Sequence, residues 1–184
     1  MQRVKVLDRI RLLLLPLLFL FLSCEQKLTV AQFERKVFNE VFLKLVDSTY
    51  KDKRIYTSPP EIGGSNFDKN GSIIARDTVG LVIAIDSGGL LNDNTDLSQY
   101  NTHKFFKHLS ELPDSYDLEN WSARYPKFAG VLSFSRIKFD PEGASGTINV
   151  SYRCGMNCGL GYLVTIKKID NKWVISNIND TWIS

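Results

Sequence analysis

The sequence predicts an α+β protein: a long N-terminal helix packed on an antiparallel sheet with a C-terminal four-stranded meander. Two periodicities carry this. Early in the chain, Phe33, Val37, Val41 and Leu45 recur at helical spacing. Late in the chain, Ile148, Val150 and Tyr152, then Tyr162, Val164 and Ile166, alternate with polar residues as strands do. The late stretches are joined by short turns. Short connections give antiparallel pairing, because a parallel pair needs a crossover of a dozen or more residues. A helix with one apolar stripe would bury it against one face of that sheet.

The chain opens on a basic segment, with Arg3, Lys5, Arg9 and Arg11 against Asp8. An apolar run of eleven residues follows from Leu12 to Leu22, broken by Pro16, and then come Ser23 and Cys24. As a helix that run would rise about 16 Å, short of a hydrocarbon core of about 30 Å. It therefore reads as the apolar region of a signal peptide. The ending Leu20-Phe21-Leu22-Ser23-Cys24 resembles a bacterial lipobox. The resemblance implies that the Cys24 thiol takes a diacylglycerol and that cleavage leaves it as the first residue of the mature chain. The usual leucine three positions before the cysteine is here Phe21, with Leu20 one further out. Acyl chains such as palmitate would hold the protein on a membrane, each buried methylene contributing about 0.8 kcal/mol. The polar Glu25-Gln26-Lys27 suits a tether.

The formal net charge of +3 equals that of the first eleven residues, so the chain from Cys24 onward is neutral. No Lys/Arg face interleaved with aromatics is visible, which argues against nucleic acid as a partner. Hydrophobic residues make up 43% and charged residues 23%, as in ordinary globular proteins.

The helix is expected over about 28–50. Thr29 and Gln32 have capping-box spacing, and Phe38 and Phe42 widen the apolar stripe. Glu34, Arg35, Glu40 and Lys44 are expected to face water. Residues 51–78 hold Pro59-Pro60, Gly63-Gly64 and Asn70-Gly71 and read as a long loop. Residues 79–85 read as a buried strand ended by the turn Asp86-Ser87-Gly88-Gly89. Residues 103–109 read as a short helix. Residues 131–139 form the next expected strand, closed by the Asp140-Pro141-Glu142-Gly143 turn. Asp170-Asn171-Lys172 turns the chain into the last strand, from Trp173 to Ile178.

The stretch from Ser135 to Ser184 resembles the end of small envelope lipoproteins of unassigned activity. Arg136-Ile137-Lys138-Phe139, the Cys154-to-Gly159 segment, Asn171-Lys172-Trp173-Val174-Ile175 and the terminal Thr181-Trp182-Ile183-Ser184 carry that likeness. Its turn–Lys-Trp–strand ending is also similar to the NTF2-like and cystatin-like superfamilies. That similarity implies a curved sheet around a helix and no particular chemistry.

Cys154 and Cys158 sit four apart in a Gly-rich connection between two expected strands. In an exported protein they read as a disulfide at a hairpin tip, with Gly155 and Gly159 relieving the backbone. The alternative is a soft-metal or thiol-redox site built on both thiolates, with Met156 between them. His103 and His108 read as exposed or capping residues. Ser87 follows a strand but lacks the Gly-x-Ser-x-Gly pattern of a nucleophile elbow. Residues 92–96 lack the glycine and terminal Glu of an EF-hand. Trp121, Trp173, Trp182, Tyr152 and Tyr162 read as core first, with a pocket lining as the alternative.

The resulting expectation is a signal peptide over 1–23, a lipidated tether over 24–28 and one α+β domain over 29–184. It is an exported protein, lipid-anchored to a bacterial membrane of the cell envelope, with the outer membrane expected. Its expected role is a non-catalytic binding or interaction module for a small apolar ligand or an envelope protein, with no cofactor. The alternative function is envelope metal binding or thiol redox chemistry at Cys154 and Cys158.

Overall fold

The structure is a computed structural model that describes residues 28–50, 79–155 and 157–184. The expected signal peptide, Cys24, Glu25 to Lys27, the expected loop over 51–78 and Met156 lie outside the described residues. The chain divides into two compact units, Met1–Gln32 and Phe33–Ser184.

In the first unit the capping box forms as its spacing predicts. The Thr29 backbone N–H donates to Gln32 Oε1 at 2.9 Å, and the Gln32 N–H donates to Thr29 Oγ1 at 3.2 Å. It opens helix α1 (Val30–Thr49).

The second unit is α+β. From Phe33 onward, α1 buries Val37, Phe38, Val41, Phe42, Leu45 and Val46 in the main core. Strands β1 (Leu81–Asp86), β2 (Lys104–His108), β3 (Phe128–Phe134), β4 (Lys138–Phe139), β5 (Ser145–Gly155), β6 (Cys158–Ile169) and β7 (Lys172–Ile183) form one sheet. Its order is β2-β1-β3-β5-β6-β7, with β4 also paired to β5. A short helix α2 (Leu118–Arg124) precedes β3, and its Trp121 joins Val82, Ala84, Leu109, Phe128 and Val131 in a second cluster.

The sheet is mixed, not antiparallel throughout. Strand β1 pairs parallel to both β2 and β3. The connections over 87–103 and 109–127 are long enough for the crossovers that parallel pairing requires. The expected helix at 103–109 is instead β2 followed by a 3-10 turn, Leu109–Glu111. Phe106 enters the core beside Phe42, while Phe105 points outward. A strand separates two adjacent phenylalanines in this way, whereas a helix would turn them only part of the way apart.

The C-terminal part is not a clear four-stranded meander either. The expected 131–139 strand breaks into β3 and β4, which pair with successive parts of β5. The break follows from Glu34. This side chain, expected in water, is 2% exposed. Its Oε1 accepts the Ile137 N–H at 2.6 Å and its Oε2 accepts Arg136 Nε at 2.6 Å. The Ile137 backbone N–H thus bonds to the helix rather than to β5, and the Arg136 side chain bonds there beside it. The Glu34 hydrogen bond, reinforced by its charge, raises the Arg136 pKa above its ordinary value.

Other polar ties seat α1. Glu40 Oε1 accepts the Trp173 N–H at 2.8 Å, Lys104 Nζ donates to Asp47 at 2.7 Å, and the Tyr100 hydroxyl donates to Asn39. The β6–β7 hairpin turns at Asp170 and Asn171, both with positive φ (49° and 60°), as a tight two-residue hairpin needs.

The β4–β5 turn is held by Asp140, whose Oδ2 accepts Ser145 Oγ at 2.8 Å and Ser145 N at 3.1 Å, while Oδ1 accepts Ala144 N at 2.9 Å. The Ser145 hydroxyl bond, then the backbone N–H bonds, lower the Asp140 pKa. A lowered folded-state value stabilises the fold at pH above the unfolded value, and that stability is lost as pH falls through the folded value. Asp140→Ala is therefore expected to lower the melting temperature near neutral pH. The deficit should shrink on acidification to about pH 2, where wild type has lost the same contribution. An unchanged deficit across that range would show that the carboxylate charge has no part in the turn.

Candidate functional site

Strand register brings five residues into one line. Asp86 on β1 lies opposite Ser133 on β3, Ser133 opposite Ser151 on β5, Ser151 opposite Gly161 on β6, and Gly161 opposite Trp182 on β7. Residues paired across strands point to the same face. Their chain neighbours Ile85, Leu132, Phe134, Val150, Tyr152 and Tyr162 belong to the core that holds α1. By strand alternation, the line occupies the opposite face of the sheet.

That face carries a cleft of about 530 Å³, to which Ser135, Asn149 and Thr181 also contribute. The Trp182 indole lies across the backbone of β6. A Cβ at Gly161 would come within 2.0 Å of the indole Nε1, and one at Gly159 within 2.7 Å of its six-membered ring. Glycine at both positions is what lets the indole lie down. Trp182 is 44% exposed, against 0% for Trp121 and 4% for Trp173. Of the aromatics read from the sequence as core or pocket, Trp121, Trp173 and Tyr152 are core, while Trp182 forms a wall of the cleft.

At the other end, Ser133 Oγ donates to Asp86 Oδ2 at 3.3 Å. Among the described residues, Asp86 is the one ionisable acid or base in the lining apart from the buried Tyr162. Among the described residues, the Asn149, Ser151 and Thr181 side chains make no hydrogen bond within the fold, so their donors and acceptors remain available. Ser135 differs: its hydroxyl accepts the Asn149 N–H and donates to the Arg136 carbonyl.

Beside the cleft, Ser87 Oγ stands 3.2 Å from His108 Nδ1, and His108 Nε2 stands 2.6 Å from the Thr95 carbonyl. A carbonyl only accepts, so Nε2 carries the proton and Nδ1 of a neutral ring is the acceptor. Hydrogen bonding from Ser87 and then from Ser110 lowers the Asp93 pKa, and a protonated His108 would lower it further by its charge. The Ser87–His108–Thr95 contacts fasten the 87–96 segment to the end of β2. Within that segment Asn92 Oδ1 accepts the Asn94 N–H and the Thr95 hydroxyl, a closed local turn. His103 takes a bond from Lys104 Nζ at 2.8 Å. Among the described residues, no three His, Cys, Asp or Glu side chains converge as a metal site requires.

Cys154 and Cys158 are at disulfide distance, their Cα atoms 5.1 Å apart, at the tip of the β5–β6 hairpin where Gly155 pairs with Cys158. The hairpin tip is pinned from the other side by Gly159, whose N–H and carbonyl bond to the Ser184 backbone.

No family model, curated protein or solved structure matches the chain. Sequence reading did not find the Asp86–Trp182 line. Two local signals pointed to it: small polar residues at alternate positions (Ser133 and Ser135, Asn149 and Ser151), and two glycines two apart on a strand.

Proposed function

We propose that the chain is an exported lipoprotein, held on a bacterial membrane through lipid on Cys24, whose folded part is a non-catalytic binding module. Its ligand face is the cleft between Asp86 and Trp182. One observation supports the binding role above others: an exposed indole and uncommitted hydroxyl and amide groups share one face of a rigid sheet. The hydroxyl-rich lining favours a polar ligand over the apolar one expected from sequence. The lipid anchor rests on the apolar run and Ser23-Cys24. No helix among the described residues is long and apolar enough to cross a membrane.

The disulfide distance of Cys154 and Cys158 supports a hairpin staple over a thiolate metal or redox site. By loop entropy, closing so short a loop contributes about 2 kcal/mol.

Intact mass spectrometry of detergent-extracted protein tests the anchor and the staple together. The expected mass is that of the chain from Cys24 with acyl chains and two hydrogens fewer than the dithiol. Cys24→Ser should release the protein from membranes. A mature chain starting elsewhere without lipid sinks the anchor. Two freely alkylated thiols sink the staple and bring the metal or redox reading forward.

A further inference from the structure

We infer that the Asp86–Trp182 cleft binds an uncharged or amine-bearing saccharide, stacked on Trp182 and hydrogen-bonded along the Asp86–Ser133–Ser151 line. The inference rests on the binding-module reading and names its ligand class.

The chemistry of the lining selects the class. Sugars present two kinds of surface: a face of polarised C–H groups and a rim of hydroxyls. The first is matched by a flat aromatic ring. Trp182 lies along the sheet with one face on the β6 glycines and 44% of its surface exposed. The second is matched by small groups that both donate and accept. Ser151, Thr181 and Asn149 supply such groups and make no other side-chain hydrogen bond among the described residues. Asp86 adds a carboxylate, held toward the face by Ser133, whose two oxygens can accept from neighbouring hydroxyls on one sugar ring.

Size and charge agree. Four strand spacings of about 4.8 Å separate the Asp86 and Trp182 backbones, and the indole leans back over roughly one of them. The remaining span suits a di- or trisaccharide, and about 530 Å³ is an ordinary small-ligand volume. Among the described residues no Lys or Arg lines the cleft, whereas phosphate, sulfate or an acidic sugar would call for one. An apolar ligand would bury the Asp86 carboxylate, which has only the Ser133 hydroxyl as partner among the described residues, and three uncommitted polar side chains.

The three tryptophans differ in exposure, so Trp182 is a natural reporter. Its indole N–H resonance would be followed in the full folded chain during titration with cellotriose, maltotriose and chitotriose. At least one should give a saturable shift at up to about 10 mM, the weak range for a shallow site. Trp182→Ala is expected to abolish binding and Asp86→Asn to weaken it about tenfold or more. Ser151→Leu, which fills the middle of the line, should also block it, as read by calorimetry, with the melting curve showing that each variant is folded. No saturable shift with any of the three sugars would overturn the saccharide class. Saturation by choline or short peptides instead would also overturn it, while leaving the cleft as a ligand face. Binding that survives Trp182→Ala and Ser151→Leu would overturn the location. The lipid anchor is tested independently by mass, so the two readings can fail separately.

Discussion

Phe42→Ala is expected to destabilise the protein by about 3–5 kcal/mol, the largest effect of any single truncation considered. Phe42 is fully buried, and its ring stands between α1 and three separate parts of the sheet unit. Ring centroids lie at 4.2 Å from Tyr100, 5.1 Å from Phe106 on β2 and 5.8 Å from Phe134 on β3, with Phe38 at 5.4 Å on the helix itself. Alanine would open a cavity that these aromatic neighbours cannot all collapse into, because each is held by its own strand or turn. Leu43, next in the chain but on the outer side of the helix, is the control. Leu43→Ala should cost less than about 1 kcal/mol. Denaturant midpoints at constant slope would decide it. Equal costs at the two positions would mean that α1 does not seat through Phe42.

The contrast between these neighbours shows why the helix was legible in sequence. A 20-residue helix repeats its apolar stripe several times, so period and face are both overdetermined. The C-terminal hairpins were legible for a different reason: turn chemistry at Asp140–Gly143 and Asp170-Asn171 is local. Strand β2 had neither advantage. Lys-Phe-Phe-Lys-His is too short for its period to be counted, and only the parallel neighbour β1 places Phe105 and Phe106 on opposite faces. The sheet's mixed pairing lies in two crossovers whose direction no residue spells out. The candidate site was the least legible part. Asp86 and Trp182 stand 96 positions apart in the chain, and their alignment passes through four pairings, each fixed by its own hairpin or crossover. A register slip of one residue at any step would send part of the line to the other face.

Glu34 was misread for a related reason, and its removal gives the second large effect. Glu34 falls four residues before Phe38 and eight before Phe42, in step with the apolar stripe. Charge made it read as solvent-facing, while its position placed it on the sheet side. There it meets the β3–β4 break, and the two features depend on each other. The Ile137 N–H points away from β5 because a carboxylate oxygen receives it at 2.6 Å. Glu34→Ala leaves that buried donor without a partner and also removes the charge-assisted bonds to Arg136. A cost of about 2–4 kcal/mol is expected. Glu34→Gln keeps a carbonyl oxygen for Ile137 and gives up the charge, so roughly half that loss should follow. Hydrogen exchange at the Ile137 amide distinguishes this account from a general loosening. In Glu34→Ala that amide should lose protection far more than those of β5 and β6, and in Glu34→Gln it should keep most of it. If both variants lost protection uniformly across the sheet, Glu34 would be supporting the fold as a whole rather than holding the break between β3 and β4.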